Sequence, residues 1–465
     1  MKLVYGVSDK PSWGKTLVFA LQQLLAIMAA TIVVPVIVNG AVGSELSQSG
    51  ALFGAGVGTL VYLLFTKFRS PVFLGSSFAF LGSMMAAFAG AASMAVGYLG
   101  LIIGAVFAGL VYVVIALLVK KFGVGWINKL MPAVVIGPTV AIIGLSLAGN
   151  AVGDVLTGSF IGEANNATVY VGLTCGLVTL FTTIACSVYG KKMVKMIPFI
   201  IGIGAGYALA AIFTAISYAG DSPEFLALRI IDFGKFNTDW SKWYPDFTFI
   251  KAFTGDLSGF NGTYIVTLIA AYVPVAFVVF AEHIADHKNL SSIIEHDLLE
   301  EPGLHRTLLG DGIGSMAGAF FGGACNTTYG ESIGCVAISG NASVRTIFTT
   351  AIMAIVLSFI LPFSILLSTI PSCVMGGVCI ALYGFIAVSG LKMIKEVDLG
   401  DNRNLFVVSV ILICGVGGMA ISFGGNNEVT LTAVATALIL GILTNLLVHR
   451  GDKKEEAQPA EKTEE

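Results

Sequence analysis

The chain has 465 residues, of which 56% are hydrophobic and only 11% are charged. A water-soluble domain has roughly 25% charged residues, so this composition excludes an ordinary soluble globule and predicts a multi-pass protein of the lipid bilayer. The formal net charge is −3, and because no basic block lies in the apolar regions, nucleic-acid binding is excluded as a function. The seven cysteines form no Cys-x-x-Cys pair, so we predict no disulfide framework, no metal site and no cofactor.

Apolar runs of about 17–25 residues, the length of a membrane-spanning helix, follow one another along the chain. We interpret fourteen of them as spans, seven before and seven after a polar extracellular loop over residues 219–263. Since seven is odd, the second half begins on the opposite face of the membrane. We therefore predict an all-α membrane protein with a seven-plus-seven inverted repeat. The predicted spans are Thr16–Val38, Ser49–Thr66, Pro71–Ala89, Gly97–Val119, Ile127–Ala148, Thr168–Tyr189, Met196–Tyr218, Tyr264–Asp286, Leu308–Ala324, Gly330–Ala342, Thr346–Ile370, Val374–Leu391, Asn404–Phe423 and Val429–Val448.

The basic residues predict the orientation of these spans. If the N-terminus is cytoplasmic, 21 of the 25 Lys and Arg residues lie on the cytoplasmic side. The other four are Arg229, Lys235, Lys242 and Lys251, and all of them lie in the long loop, on which the positive-inside rule has little effect. We expect both termini in the cytoplasm, with an N-terminal tail over residues 1–15 and a disordered charged tail over residues 449–465.

Two predicted spans are unsuited to form continuous helices. The third span is interrupted by Gly75, Ser76 and Ser77, and the tenth is short and contains Gly330 and Gly334. The two spans hold the same place in each half, and glycine-interrupted segments at corresponding positions indicate the binding site of a transporter. Broken helices present free N–H groups and positive dipole ends to a cavity.

Three acidic residues, Glu282, Asp286 and Glu331, lie in or at the ends of the eighth and tenth spans, which contain no Lys or Arg. A carboxylate at the bilayer centre costs about 2.5–3.5 kcal/mol, so a proton, a metal cation or the N–H groups of a ligand must compensate the charge. Glu282 and Asp286 are four residues apart and share one face of a helix. Their repulsion favours protonation of at least one of them near neutral pH.

Each of these polar residues has a plainer interpretation. Asp286 is alternatively the cytoplasmic end of its span, and Glu331 alternatively stabilises the first turn of a helix through the helix dipole. His283 lies about 100° around the helix from Glu282 and is expected to pack against another helix. Asp311 is expected at the cytoplasmic entry of the ninth span.

N–H donors of broken helices and carboxylate acceptors around one small site are complementary to a flat molecule with both N–H edges and carbonyl oxygens. Phe78 and Tyr383 are candidates to stack on the face of such a molecule, although an aromatic ring in a span often serves packing alone.

Five stretches of the sequence resemble the nucleobase/ascorbate transporter family, most closely its bacterial uracil permeases. They are MAATIVVP (28–35), VFLGSSFAFLG (72–82), FVVFAEHIADH (277–287), NTTYGESIG (326–334) and MGGVCIALYGFIAVSG (375–390). The resemblance covers nearly the whole chain. It implies a core domain over residues 16–119 and 264–370, a gate domain over residues 120–218 and 371–448, and short antiparallel strands in the third and tenth spans. It also implies a bacterial plasma-membrane protein, coupling to a proton, and a homodimer.

The resemblance also implies a set of site residues. Glu282 and Glu331 match two glutamates that hydrogen-bond the base, and Phe78 matches a residue that contributes backbone and ring contacts. The other implied substrate-binding residues are Ser77 beside Phe78, Tyr329 and Gly330 at the backbone edge, and Ala30 and Tyr383 in the cavity wall. Glu282, Asp286 and Glu331 are the implied proton-coupling residues.

Two positions depart from the pattern of uracil-transporting members. Asp286 stands where they usually have His, which is similar to the purine-transporting branch, and Ser332 and Ser339 stand where the family usually has Asn and Thr. We predict proton-coupled uracil import by alternating access and no enzymatic activity. The alternatives are a xanthine or urate permease on the same fold and, with less support, an anion transporter or channel.

Overall fold

The computed structural model describes residues 3–123, 126, 132–160, 166–191, 193–237, 243–423 and 429–449. The predicted disordered tail, apart from its first residue, lies outside these ranges, as do Lys242 of the long loop and the first residues of the predicted fifth span. The described chain is mostly helical, with two pairs of short strands.

Each predicted span contains a described helix. The elements of the first half are α1 (Trp13–Val42), α2 (Gln48–Phe65), β1 (Leu74–Ser76), α3 (Leu81–Ala89), α4 (Met94–Phe122), α5 (Ala133–Ser146), α6 (Ala148–Val155), α7 (Asn166–Tyr189), α8 (Met193–Met196) and α9 (Pro198–Ser217). The long loop contains α10 (Pro223–Leu226), a 3₁₀ turn (Phe233–Phe236) and α11 (Thr248–Thr254).

The second half begins with α12 (Gly262–Ile294), and a π-helical turn (Leu299–Gly303) follows it. The remaining elements are α13 (Leu304–Gly322), β2 (Asn326–Thr328), α14 (Gly330–Ser339), α15 (Val344–Ser358), α16 (Leu361–Ser368), α17 (Ser372–Ile394), α18 (Asn402–Val416), β3 (Ile421–Phe423), β4 (Val429–Leu431) and α19 (Ala433–Val448).

Among the described residues, eight helices are long and apolar enough to cross a membrane, and α15 with α16 forms a ninth candidate that bends by 82°. The other predicted spans contain helices that are shorter or more polar. A multi-pass membrane protein is therefore confirmed, whereas the count of fourteen crossings and the inverted repeat stay predictions.

The predicted thirteenth span is wrong at its end. We expected a helix as far as Phe423, but α18 ends at Val416, and residues 421–423 pair with residues 429–431 as an antiparallel hairpin. Gly417 and Gly418 follow α18, and Gly418 has a φ of 72°, a left-handed conformation that glycine adopts at low cost. The predicted fourteenth span correspondingly begins with a strand, and its helix starts at Ala433.

Glycines bring α2 and α13 into close contact, and these two helices lead into β1 and β2. A Cβ atom placed on Gly58 would lie 2.7 Å from the carbonyl oxygen of Gly314, and a Cβ on Gly314 would lie equally close to the carbonyl oxygen of Gly58. Small residues allow two helix backbones to approach in this way inside a membrane. The contact therefore holds the two strands next to each other.

The helices form two packing groups. In the first group, α13 packs against α2 and α4, α12 packs against α4, and α1 packs against α15. In the second, α17 packs against α5, α6 and α7, while α18 packs against α5 and α19. The division into a core and a gate domain stays a prediction.

The segment before α1 lies against the end of α14. Tyr5 forms a β-bridge with Asn341, the N–H of Val4 donates to the carbonyl of Gly340 at 2.8 Å, and the N–H of Ala342 donates to the carbonyl of Tyr5 at 2.9 Å. The N-terminal segment thus holds the end of α14, the helix that begins beside the candidate site.

Candidate functional site

Two broken segments meet at the candidate site. Strands β1 and β2 pair antiparallel, with Gly75 opposite Thr327 and Ser76 opposite Asn326. Helix α3 begins five residues after β1, and α14 begins two residues after β2, so the N-terminus of each helix lies close to the strand pair. The implied short strand in the third span is confirmed, whereas its antiparallel partner β2 directly precedes the predicted tenth span, which begins at Gly330, instead of lying inside it.

Gly75 has a steric reason to lack a side chain. A Cβ atom at this position would overlap the ring of Tyr329 and approach its Cδ2 atom to 2.8 Å. The hydroxyl of Tyr329 donates to the carbonyl of Ser76 at 2.8 Å. The Tyr329 ring thus lies across β1, and this contact fixes the backbone immediately before Glu331.

The three predicted carboxylates lie together. Glu282 and Asp286 lie on α12, Glu331 is the second residue of α14, and these two helices are in contact. Glu282 and Asp286 are one turn apart on α12, and Glu331 lies at the start of the contacting helix, so negative charges at these positions repel one another. All three are partly accessible. Within the described ranges, none of them forms an ion pair with Lys, Arg or His.

Asp286 is not at the end of its helix. Helix α12 continues for two further turns to Ile294. Its Oδ2 atom accepts a hydrogen bond from the Thr328 hydroxyl at 2.6 Å. The side chain therefore faces the end of strand β2 and the other two carboxylates.

The two aromatic residues predicted to contact the ligand also contact each other, and this contact joins the two packing groups. Phe78 follows β1 and Tyr383 lies on α17, and their rings meet edge to face with centroids 5.9 Å apart. Both rings are buried, as is Ala30 on α1. The geometry brings Phe78 and Tyr383 together, and their contact with a ligand stays a prediction.

Two predicted residues, Gly330 and Ser77, have groups that are open to a ligand in the described part of the chain. Gly330 is exposed, and a Cβ atom at this position would meet no atom within 4 Å, so the start of α14 faces open space. The N–H of Ser77 donates to the carbonyl of Cys325 at 2.8 Å, while its buried Oγ atom has no hydrogen-bond partner within the described chain.

The sequence analysis missed Gln23, which supports the start of α14. Its Nε2 atom donates to Ser332 Oγ at 2.5 Å and to the Ser332 carbonyl at 3.2 Å. Ser332 Oγ also accepts the N–H of Phe73 at 3.3 Å, which connects α1, α14 and the segment before β1. A buried glutamine in the apolar first span was the available signal.

Asp311, which we expected at the cytoplasmic entry of its span, is buried inside the protein. It is 1% exposed, lies eight residues into α13, and contacts His283. His283 packs against α13 as expected, because its ring also contacts Thr307. This buried pair does not belong to the group of three accessible carboxylates.

A wide, open cavity lies elsewhere in the structure, and none of the predicted site residues lines it. It has a volume of about 980 Å³ and lies between the start of α2, the end of α16 and the long loop. Its wall includes Glu45, Lys235 and Ser372. In the described part of the chain, no cluster of three His, Cys, Asp or Glu side chains has the geometry to hold a metal ion.

Paired strands inside a helical membrane protein, each followed by a helix start and flanked by carboxylates, define a membrane transporter with a central polar site. The fold agrees with known transporters. The transmembrane domain of the cyanobacterial bicarbonate transporter BicA matches with a TM-score of 0.59 at 16% identity, over 96% of this chain and all of that one. Murine Slc26a9, an anion transporter in the inward-facing state, matches with a TM-score of 0.62 at 13% identity, over 96% of this chain and 69% of that one. At these identities the similarity shows the fold alone.

The sequence identifies the family. A model described as the permease family matches residues 14–423, and the chain belongs to this family, the nucleobase/ascorbate transporters. The uracil permease of Bacillus caldolyticus is 38% identical over 450 residues, 96% of this chain and 95% of that protein. Those of Bacillus subtilis and Escherichia coli K12 are 37% and 34% identical, and each covers more than nine tenths of both chains. The relatives are permeases, so a transporter rather than an enzyme is confirmed.

Proposed function

We propose that this protein imports uracil together with a proton by alternating access. The observation that carries the proposal is the group of three mutually repelling carboxylates, Glu282, Asp286 and Glu331, beside the paired strands and without a basic partner among the described residues. One proton supplies positive charge, and the N–H groups of a neutral heterocycle supply hydrogen-bond donors to the carboxylates that stay ionised. The names of the relatives support uracil as the substrate.

Each ligand edge has a matching set of protein groups. Glu282 and Glu331 accept hydrogen bonds from the ligand N–H groups, and such bonds to a charged acceptor are stronger than those between neutral groups. The free backbone N–H groups around Tyr329, Gly330 and Phe78 donate to the ligand carbonyls. Phe78 and Tyr383 contact the ring, Ser77 supplies an unpartnered hydroxyl, and the small Ala30 leaves room for the ligand.

Proton coupling follows from the crowding of negative charge. Two carboxylates on one helix face and a third on the neighbouring helix disfavour the state in which all three are ionised. One proton bound by Glu282 or Asp286 reduces this repulsion and leaves Glu331 free to bind the ligand. Because the ligand and the proton each stabilise the loaded site, each favours binding of the other.

Alternating access requires the two packing groups to move past each other. The Phe78–Tyr383 contact is where the strand-bearing group meets α17 of the other group. A ligand bound beside these two rings is therefore in contact with both groups, and their relative movement exposes it to one side of the membrane and then to the other.

A purine base is the second candidate substrate, because Asp286 is similar to the purine-transporting branch. A xanthine or urate permease would use the same carboxylates with a larger ring. An anion transporter is disfavoured, since two fixed glutamates would repel an anion from the same site.

The test is uptake of radiolabelled uracil into proteoliposomes with and without an inward proton gradient. We expect the gradient to increase uptake by the wild type, and Glu331→Gln to abolish uptake. Glu396→Gln, at an exposed position away from the site, is the matched control and should behave as the wild type.

Competition by unlabelled xanthine, urate and bicarbonate separates the candidate substrates. Uptake of radiolabelled xanthine together with no uptake of radiolabelled uracil would replace the proposed substrate. Uptake by the wild type that ignores the proton gradient would disprove the coupling.

A further inference from the structure

A buried histidine–aspartate pair lies behind the paired strands. His283 Nδ1 and Asp311 Oδ2 are 2.7 Å apart, and the two side chains are 0% and 1% exposed. His283 Nε2 lies 3.0 Å from the hydroxyl oxygen of Thr307. The pair therefore connects α12 to α13 in a region closed to solvent, one residue along the chain from Glu282.

The partners of this pair determine how many protons it holds. The Thr307 hydroxyl lies 3.0 Å from the carbonyl of Leu304, which can only accept, so we assign the hydroxyl hydrogen to that bond and His283 Nε2 as the donor toward Thr307. A contact of 2.7 Å between His283 Nδ1 and Asp311 Oδ2 requires a hydrogen atom between them. The pair thus shares one proton and carries no net charge, whichever atom holds that proton.

The second carboxyl oxygen of Asp311 faces a small cavity. Asp311 Oδ1 and the Tyr112 hydroxyl are buried and have no hydrogen-bond partner among the described residues. Both residues line a cavity of about 10 Å³, and Ser315 and Asn326 complete its polar wall. A cavity of roughly this size holds one water molecule when polar groups line it, and a buried polar atom without any partner is unfavourable.

We propose that this cavity binds one water molecule between Asp311 Oδ1 and the Tyr112 hydroxyl, and that the water and the shared proton make Asp311 a positioning residue for strand β2. Asp311 reaches the strand directly, because its Oδ2 atom accepts the hydroxyl of Thr327 at 3.5 Å. Asn326, also on β2, lines the water cavity. The strand leads within two residues to Tyr329 and Gly330, so its position sets the backbone that faces the ligand.

Amide hydrogen exchange of the purified protein without ligand tests the positioning role. Asp311→Ala and Tyr112→Phe should increase the exchange of residues 326–328 at least tenfold and leave the α17 helix unchanged. Asp311→Asn should exchange faster than the wild type but more slowly than Asp311→Ala, because its amide donates to His283 Nδ1 and its oxygen accepts from the water, while the amide nitrogen in place of Oδ2 cannot accept the Thr327 hydroxyl. Tyr272→Phe is the matched control, since Tyr272 is also fully buried with an unpartnered hydroxyl but does not line the cavity.

Exchange that increases equally in all helices would show a general loss of stability and overturn the positioning role. Exchange in Asp311→Asn as fast as in Asp311→Ala would overturn the shared proton. A high-resolution cryo-EM map should show the water in the wild type and not in Tyr112→Phe. An empty cavity in a wild-type map that resolves other buried waters would overturn the water site.

The effect on ligand rests on the proposed function and has its own measurement. Tyr112→Phe should raise the Kd for uracil severalfold in isothermal titration calorimetry, whereas Tyr272→Phe should not. If the wild type binds no nucleobase but the exchange pattern and the water are found, the proposed substrate fails and the positioning role stands. If the wild type binds uracil and the exchange pattern is absent, the positioning role alone fails.

Discussion

The hydroxyl of Thr328 donates to Asp286 Oδ2 at 2.6 Å, and this bond links the end of strand β2 to the acidic face of α12. A donor at this distance stabilises the ionised carboxylate of Asp286 and limits its orientations. Because Thr328 directly precedes Tyr329, the bond also couples the position of the strand end to the charge on α12. A change of protonation at Asp286 therefore alters this bond and with it the position of the backbone beside Glu331.

Replacing Thr328 by Val should remove this bond with little change in volume. Hydrogen bonds to charged groups contribute about 1.5–3 kcal/mol, so we expect uracil uptake to fall about tenfold or more. Thr328→Ser keeps the hydroxyl and should retain most of the uptake. Initial rates in proteoliposomes at matched protein density provide the measurement, and equal rates for the Val and Ser variants would contradict a role for the bond.

Replacing Gly75 by Ala should disrupt the strand pair, because the new methyl group would overlap the Tyr329 ring. Overpacking of a buried site costs roughly 1–3 kcal/mol, and we expect a lower melting temperature together with loss of uracil binding. Gly334→Ala is the matched control, since a Cβ atom there meets nothing within 4 Å. A Gly75→Ala protein with wild-type melting temperature and binding would show that Tyr329 moves aside freely.

The sequence predicted the broken segments better than it predicted the ends of helices. Glycines and serines in the middle of an apolar run conflict with a continuous helix, and this conflict correctly placed the break at β1. The strands themselves were implied only by the family resemblance, and β2 lies just before the predicted tenth span. The pairing of residues 421–423 with residues 429–431 was missed because the apolar residues of these two strands suit the end of one span and the start of the next as well as they suit strands. Hydropathy reports burial in lipid and does not distinguish a helix from a short hairpin.

The three acidic site residues were first singled out by charge, and charge alone cannot show which acids share a cavity. Glu282, Asp286 and Glu331 interact as expected, whereas Asp311 was placed at a helix entry and in fact pairs with His283 inside the protein. The sequence separation of 28 residues between His283 and Asp311 gives no local signal of contact. Only the packing of α12 against α13 brings them together.

Gln23 should be needed to hold the start of α14. Replacing it by Leu removes the donor to Ser332 and leaves buried acceptors unsatisfied, at a cost of about 1–3 kcal/mol. We expect a raised KM for uracil uptake with protein that remains folded. Gln22→Leu is the control, because the Gln22 side-chain oxygen has no partner in the described chain. An unchanged KM in Gln23→Leu would mean that Ser332 and Phe73 hold the helix without it.

Replacing Gly314 by Ala should separate α2 from α13. The added methyl group would lie 2.7 Å from the carbonyl oxygen of Gly58, a backbone atom that cannot rotate away. We expect a loss of roughly 1–3 kcal/mol of stability, measured as a lower melting temperature in detergent. A Cβ atom on Gly204 of α9 would meet no atom within 4 Å, so Gly204→Ala should leave the melting temperature unchanged. A melting temperature of Gly314→Ala equal to that of the wild type would show that the two helices separate without a loss of stability.

Asp286→Asn separates ligand binding from proton coupling. The asparagine oxygen can still accept the Thr328 hydroxyl, so the strand end keeps its contact, but one of the three repelling charges is removed. A site with less negative charge no longer needs a proton to bind the ligand, and uptake should lose its response to the proton gradient. Exchange of labelled for unlabelled uracil across the membrane should continue, because it requires only binding and movement. A variant whose uptake still rises with the gradient as in the wild type would assign the coupling to Glu282 and Glu331 alone.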